Sequence, residues 1–381
     1  MPEVHSLPKD RSPRPRAERG FRAEAAVRDP RVDQLAQILV HYSTALHPGD
    51  RVLITGTDLA KPLLLSLYRT ALAAGALPTL IVSFEETGRL LLDAGTPEQL
   101  AYFPPALMTA VEQAEAVISV AAPGNLKLLT STDPQRQVAV TRARRPYVEK
   151  VLQRRWVLCQ YPTPALAQEA EMSLEEYEDF VFQATNIDWP AMQAELHRWK
   201  QVLEAGQELR IVGPDTDLRL RIAGRTWIAG DGRHNMPDGE IFTGPHEDSA
   251  EGYITFDFPA IHAGREVEGV RLEFERGEVV RASATKGQAY LEAVLNADPG
   301  ARRLGEIGLG LNYHLQRFTK SILFDEKIGG TVHLALGQSY RETGGVNQSS
   351  IHWDLIKDLR PGGAIYLDGR LIQQNGRFLP A

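Results

Sequence analysis

The sequence predicts an α/β unit on a parallel sheet, followed by a strand-rich α+β unit. Between residues 33 and 161, stretches of helical spacing alternate with short apolar runs of strand length. Beyond residue 207 the helical period fades and apolar residues alternate with polar ones, as in half-buried strands. A length of 381 residues also exceeds the ~100–200 of a usual domain. The expected organisation is a disordered N-terminal arm at 1–32, an α/β domain at 33–205 and a strand-rich domain at 206–381.

Residues 34–40 have helical spacing, and the turn signal at 48–50 (Pro48, Gly49, Asp50) leads into a short strand at 51–54. Residues 59–74 read as a helix stopped by Gly75, with a second strand at 77–82. A helix at 105–113 precedes a strand at 116–120, and one at 135–152 precedes a strand at 156–158. This alternation implies a parallel sheet covered by helices on both faces. Residues 55–58 follow the first strand but lack the further glycines or the Gly-Lys-Ser/Thr that phosphate binding requires, so Asp58 reads as a helix N-cap. Residues 173–206 read as wholly helical from a capping-type start at Ser173, bridging the two units. Strands follow at 209–212, 218–222, 253–256, 269–274 and 278–283, with a hairpin turn at 274–278 and a helix at 286–296.

Composition excludes several function classes. The net charge of -7 offers no basic stripe for a nucleic acid. The most apolar stretch, 63–84, is broken by Arg69 and Pro78 and is no membrane span. Cys159 is the only cysteine, so no internal disulfide forms, and its apolar surroundings read as a buried strand carrying an inert thiol. The first 30 or so residues lack the apolar core of a secretory signal; a cytoplasmic protein is expected.

The chemistry concentrates in the last third. His352 and Asp354 are two apart, so in a strand both point to one side while Trp353 points to the other. His333 lies inside an apolar strand-like run, where it is either a satisfied core residue or a ligand. Glu306 sits among glycines and apolar residues at 304–310, and Glu326 follows Phe324 and Asp325. A lone buried carboxylate costs several kcal/mol, so a salt bridge or a metal must compensate it. Glu240 follows a turn at 236–239 and precedes Ile241 and Phe242. Glu240, Glu306, Glu326 and Asp354 would together neutralise two divalent cations, which reads as a binuclear hydrolase centre. Asp325 and Glu326 are adjacent, and the sequence leaves open which of them faces the metals. His246, Glu247 and Asp248 read as a solvated loop; His262 and Arg265 are either structural or substrate-facing; His234 lies near the site without binding metal.

The segment Asn235-Met236-Pro237-Asp238-Gly239-Glu240-Ile241-Phe242-Thr243-Gly244-Pro245 resembles one in the aminopeptidase T (thermophilic aminopeptidase) family of metallopeptidases, with Gly244 where alanine is common. The runs at 304–310, 323–327, 333–340 and 351–354 resemble that family too, as do 161–164 and 177–181. The resemblance implies metal ligation by Glu240, Glu306, Glu326, His333, His352 and Asp354, with Tyr340 counted in the same site. It also implies a homodimer that cleaves N-terminal residues from peptides with a free N-terminus. Two divalent ions per chain are expected. Zinc, cobalt or manganese suits the mixed oxygen and nitrogen ligands, with magnesium less natural. Glu306 is the expected bridging carboxylate. Tyr340 either donates to the oxyanion or coordinates directly. An amidase or phosphoesterase on the same metals, or a non-catalytic metal- or peptide-binding scaffold, are the alternatives.

Overall fold

The computed structural model describes residues 29–262 and 264–380. Most of the expected arm, residues 1–28, lies outside them. Its last residues are already helical: Pro30–Gln37 is an α-helix whose N-cap, Asp29, accepts a hydrogen bond from the Arg31 amide at 2.8 Å.

The first half is built on a parallel sheet ordered Leu77–Ser83, Arg51–Thr57, Ala116–Ala121, Arg155–Gln160 and Asn235–Met236. Its central strands are buried by helices, as their continuous apolar runs require: Leu53, Ile54, Val117 and Ile118 are all in the core. Helices Lys61–Ala73, Pro105–Gln113 and Pro134–Val151 fall where the helical period lies. The fifth strand comes from beyond residue 206, so the sheet of the first half is completed by the second.

Three local readings are corrected. Residues 173–206 form two helices, Leu174–Thr185 and Trp189–Glu204, because Asp188 caps the second through the Ala191 amide and Pro190 forbids a continuous ladder. Asp58 is the first residue of a 3-10 turn, Asp58–Ala60, whose N-cap is Thr57 rather than Asp58. Helices Glu85–Ala94 and Pro164–Glu169 were not anticipated.

The second half pairs an eight-stranded antiparallel sheet with a five-stranded one. The five-stranded sheet runs His352–Asp358, Thr331–Gly337, Leu304–Gly310, Glu240–Thr243 and Ile228–Gly230. One core joins Leu209, Leu218, Ile254 and Phe274 of the larger sheet to Ile307, Leu334, Trp353 and Leu355 of the smaller, with Trp199 closing it. That core fixes one face of the smaller sheet as apolar. Strand alternation therefore delivers the intervening residues to the opposite face.

Candidate metal centre

Residues directly opposite in an antiparallel pair share a face. Glu306 lies opposite Ala335, which lies opposite Asp354; His333 is opposite Gly308, His352 opposite Gly337, and Glu240 opposite Gly310. Five of the predicted ligands thus line one face of four neighbouring strands, with small residues between them. The glycine at 308 is required: a Cβ there would lie 2.1 Å from the imidazole of His333.

Glu326 arrives from outside the sheet, just after the short helix Ile322–Asp325. That turn separates the two adjacent carboxylates. Asp325 accepts from the Thr319 amide at 2.7 Å and its hydroxyl at 2.9 Å, whereas Glu326 faces the cluster.

All six predicted residues come together in two groups, Glu240–Glu326–His333 and Glu306–His352–Asp354; within each group one ligand atom per residue lies within 4.8 Å of the others. Glu306 links the groups, its Oε1 3.2 Å from His333 Nε2 and its Oε2 3.4 Å from His352 Nε2. His333 Nε2 also lies 3.4 Å from Glu240 Oε2, and His352 Nε2 lies 3.6 Å from Asp354 Oδ1. His352 Nδ1 is 2.8 Å from the carbonyl oxygen of Gln338; donation there leaves Nε2 as the free lone pair.

Lys327 was missed from sequence. It is fully buried, and its ammonium donates to Glu240 Oε1 at 2.9 Å and to Glu326. Burial opposes its charge, but Glu240, Glu326 and Asp238 outweigh that and hold its pKa well above the usual lysine range. Burial likewise pushes Glu240 up to about 8 and Asp238 up to about 6, despite the pull of Lys327. Glu306 goes the other way. Burial would raise it, yet the hydrogen bonds from His333 and His352 hold it at about 2. Those histidines rise to about 9 and about 11, burial being outweighed for His333 by Glu306 and for His352 by Asp354 and Glu306. A metal ligated at Nε2 displaces these protons.

Tyr340 stands at the rim. Its ring centroid is 5.1 Å from that of His352 and 5.7 Å from that of Phe242. Partial burial and the carboxylates, Glu306 first, push its phenol pKa up, so at neutral pH it keeps a proton to donate. Its loop is held from behind. The buried Arg225 pairs with Glu247 at 2.8 Å, Glu247 accepts from the Val346 amide at 2.7 Å, and the Thr226 amide donates to the Thr343 carbonyl at 3.1 Å. Glu247 is therefore no solvated loop residue. Breaking a buried pair costs roughly 3–5 kcal/mol. Arg225→Ala should lower the thermal midpoint and depress kcat/KM while leaving bound metal unchanged; thermal denaturation with metal analysis checks it.

The three other histidines singled out in the sequence, His234, His246 and His262, make contacts away from the cluster. His246 Nε2 lies 2.9 Å from the Ala223 carbonyl, His262 Nδ1 lies 2.7 Å from the Tyr290 hydroxyl, and His234 stacks on Trp156 at 4.7 Å between centroids. Arg265 lies over the Tyr290 ring.

Each group also carries a buried oxygen without a hydrogen-bond partner, Glu240 Oε2 in one and Asp354 Oδ1 in the other. Both oxygens lie beside an imidazole of the cluster, at 3.4 and 3.6 Å, and such orphans cost roughly 1–3 kcal/mol or more unless something compensates. With carboxylate oxygens and imidazole nitrogens as donors, the residues present fit divalent ions.

Known proteins similar to this chain point to one family. The thermophilic metalloprotease (M29) family profile matches residues 28–378. The chain is 29% identical over 400 aligned residues to aminopeptidase T of Thermus thermophilus, covering 91% of this chain and 98% of that protein. It is 28% identical to aminopeptidase 2 of Geobacillus stearothermophilus, covering 85% and 91%. The structure of wild-type AmpT from Thermus thermophilus superposes with a TM-score of 0.81 at 28% identity, over 92% of this chain and 99% of that one.

Proposed function

The chain belongs to the thermophilic metalloprotease family M29, and from that premise we propose an aminopeptidase that removes N-terminal residues from peptides at a binuclear centre. The observation that carries the binuclear reading is the pairing of two three-ligand groups through Glu306, each with an orphaned buried oxygen. Glu240, Glu326 and His333 would hold one ion and His352 and Asp354 the other, with Glu306 between them. Divalent ions there supply Lewis-acid chemistry, activating water near neutral pH and polarising a carbonyl.

The chain's own groups do the rest. Glu306 sets the spacing of the two halves through its contacts to both imidazoles. Tyr340 keeps its proton and donates to the oxyanion that develops on the scissile carbonyl. Two ions per chain, with zinc, cobalt or manganese as the metal, belong to this reading, as do a homodimer and a cytoplasmic location. No helix of the described residues is long and apolar enough to cross a membrane. The lone cysteine suits a reducing compartment.

Chelator-stripped protein is expected to release no chromophore from leucyl anilide and to recover on titration with zinc, cobalt or manganese, saturating near two ions per chain. An N-blocked leucyl anilide should remain uncut throughout. Equal cleavage of blocked and unblocked substrate would mark a general amidase instead, and tight binding without turnover would mark a scaffold.

A further inference from the structure

We infer that the two halves of the centre bind their ions unequally, the Glu306–His352–Asp354 half filling first and the Glu240–Glu326–His333 half second and more weakly, with Lys327 and the hydrogen bonding behind each imidazole setting the order. This rests on the binuclear reading above and goes beyond it.

Three observations point the same way. The first is a resident cation. Lys327 donates to Glu240 Oε1 and to Glu326, so two of the three ligands of that half already share a positive charge. No lysine or arginine among the described residues lies within ion-pair distance of Glu306 or Asp354. An incoming ion is repelled by the ammonium at one half only. Asp238, a further buried carboxylate nearby, belongs to neither ligand group.

The second is denticity. With one oxygen of Glu240 and one of Glu326 engaged by Lys327, each offers an ion a single unshared oxygen. In the other half, both oxygens of Asp354 are free of any lysine or arginine contact.

The third is the support behind each imidazole. His352 Nδ1 has the Gln338 carbonyl at 2.8 Å, which orients the ring and raises its basicity. His333 Nδ1 is buried without any hydrogen-bond partner. Loss of a hydrogen-bond partner behind a ligating imidazole typically weakens metal binding ~10–100-fold.

The test is a zinc titration of the chelator-stripped full chain against a chromophoric competitor. Two classes of site separated by at least about tenfold in Kd are expected, the lower end of the effect of losing the partner behind an imidazole. His352→Ala should abolish the tight class and keep the weak one, and His333→Ala should do the reverse. Lys327→Met should tighten the weak class alone, with Lys327→Arg close to the original. Two sites of equal affinity in the unmodified chain overturn the inference while leaving the binuclear reading intact. So does loss of the tight class in His333→Ala, or an unchanged weak class in a folded Lys327→Met. Binding of fewer than two ions sinks the binuclear reading itself. Circular dichroism establishes that each variant is folded, and the unmodified chain decides the matter even where a variant is not.

Discussion

Glu306→Gln should reduce turnover of an unblocked leucyl anilide by about a thousandfold or more, a loss of ~4 kcal/mol in transition-state stabilisation, with the fold retained. The substitution keeps the shape of the side chain and removes one of four carboxylate charges. It strikes the residue whose two oxygens face the two imidazoles at 3.2 and 3.4 Å. An amide nitrogen is a donor and cannot replace the second oxygen as a ligand. The variant should therefore bind fewer than two ions and lose the Lewis-acid chemistry that the pair would supply. Steady-state kinetics with metal analysis on the same sample check this. A variant that holds two ions and keeps activity within tenfold would remove Glu306 from the bridging role.

Gly308→Ala is the second large effect, and it needs no change of charge. The added methyl would lie 2.1 Å from the His333 ring, and the ring is fully buried. Either the strands part or the imidazole rotates. Overpacking of this kind costs typically ~1–3 kcal/mol, and a rotated His333 is lost to its ligand group. The expected result is a lower thermal midpoint together with loss of one ion per chain. A double variant, Gly308→Ala with His333→Ala, should recover much of the stability, because the clash is gone, yet recover no metal. Non-additivity in that cycle measures the contact directly. Full metal content in Gly308→Ala would show that the sheet relaxes around the methyl instead.

The alternation of period-3.6 and apolar stretches was enough to place the parallel sheet. The two-residue spacing of His352 and Asp354 was enough to put both on one face. Glycines gave a further signal, since Gly308, Gly310 and Gly337 mark where functional side chains of the next strand cross. What stayed hidden depends on contacts between distant segments. Lys327 beside Glu326 reads as a solvated charge pair, and only the fold brings Glu240 to its ammonium from 87 residues away. Glu247 reads as loop until Arg225 is buried against it. The choice between Asp325 and Glu326 rests on a four-residue helix that aims one at Thr319 and the other inward. Secondary-structure pattern carries none of this, because each is a tertiary choice among locally equivalent options.

The borrowed fifth strand of the parallel sheet has a consequence for how the chain comes into being. Among the described residues, the strand paired to the outer edge of Arg155–Gln160 is Asn235–Met236, with bonds such as the Leu158 amide to the His234 carbonyl at 2.7 Å. During synthesis that edge emerges well before its partner, with helices Leu174–Thr185 and Trp189–Glu204 among the elements between them in the chain. The nascent first half is thus an unfinished sheet with a bare strand at one side, the kind of surface that recruits wrong partners. Asn312 strengthens the dependence, its amide donating to Ala184 of the first half and to Asp238 beside the centre. The segment that seals the sheet is the same one that leads into Glu240. Completion of the scaffold and delivery of the first carboxylate are therefore a single event in maturation, and a fragment ending near residue 205 should be born aggregation-prone rather than as an independent unit.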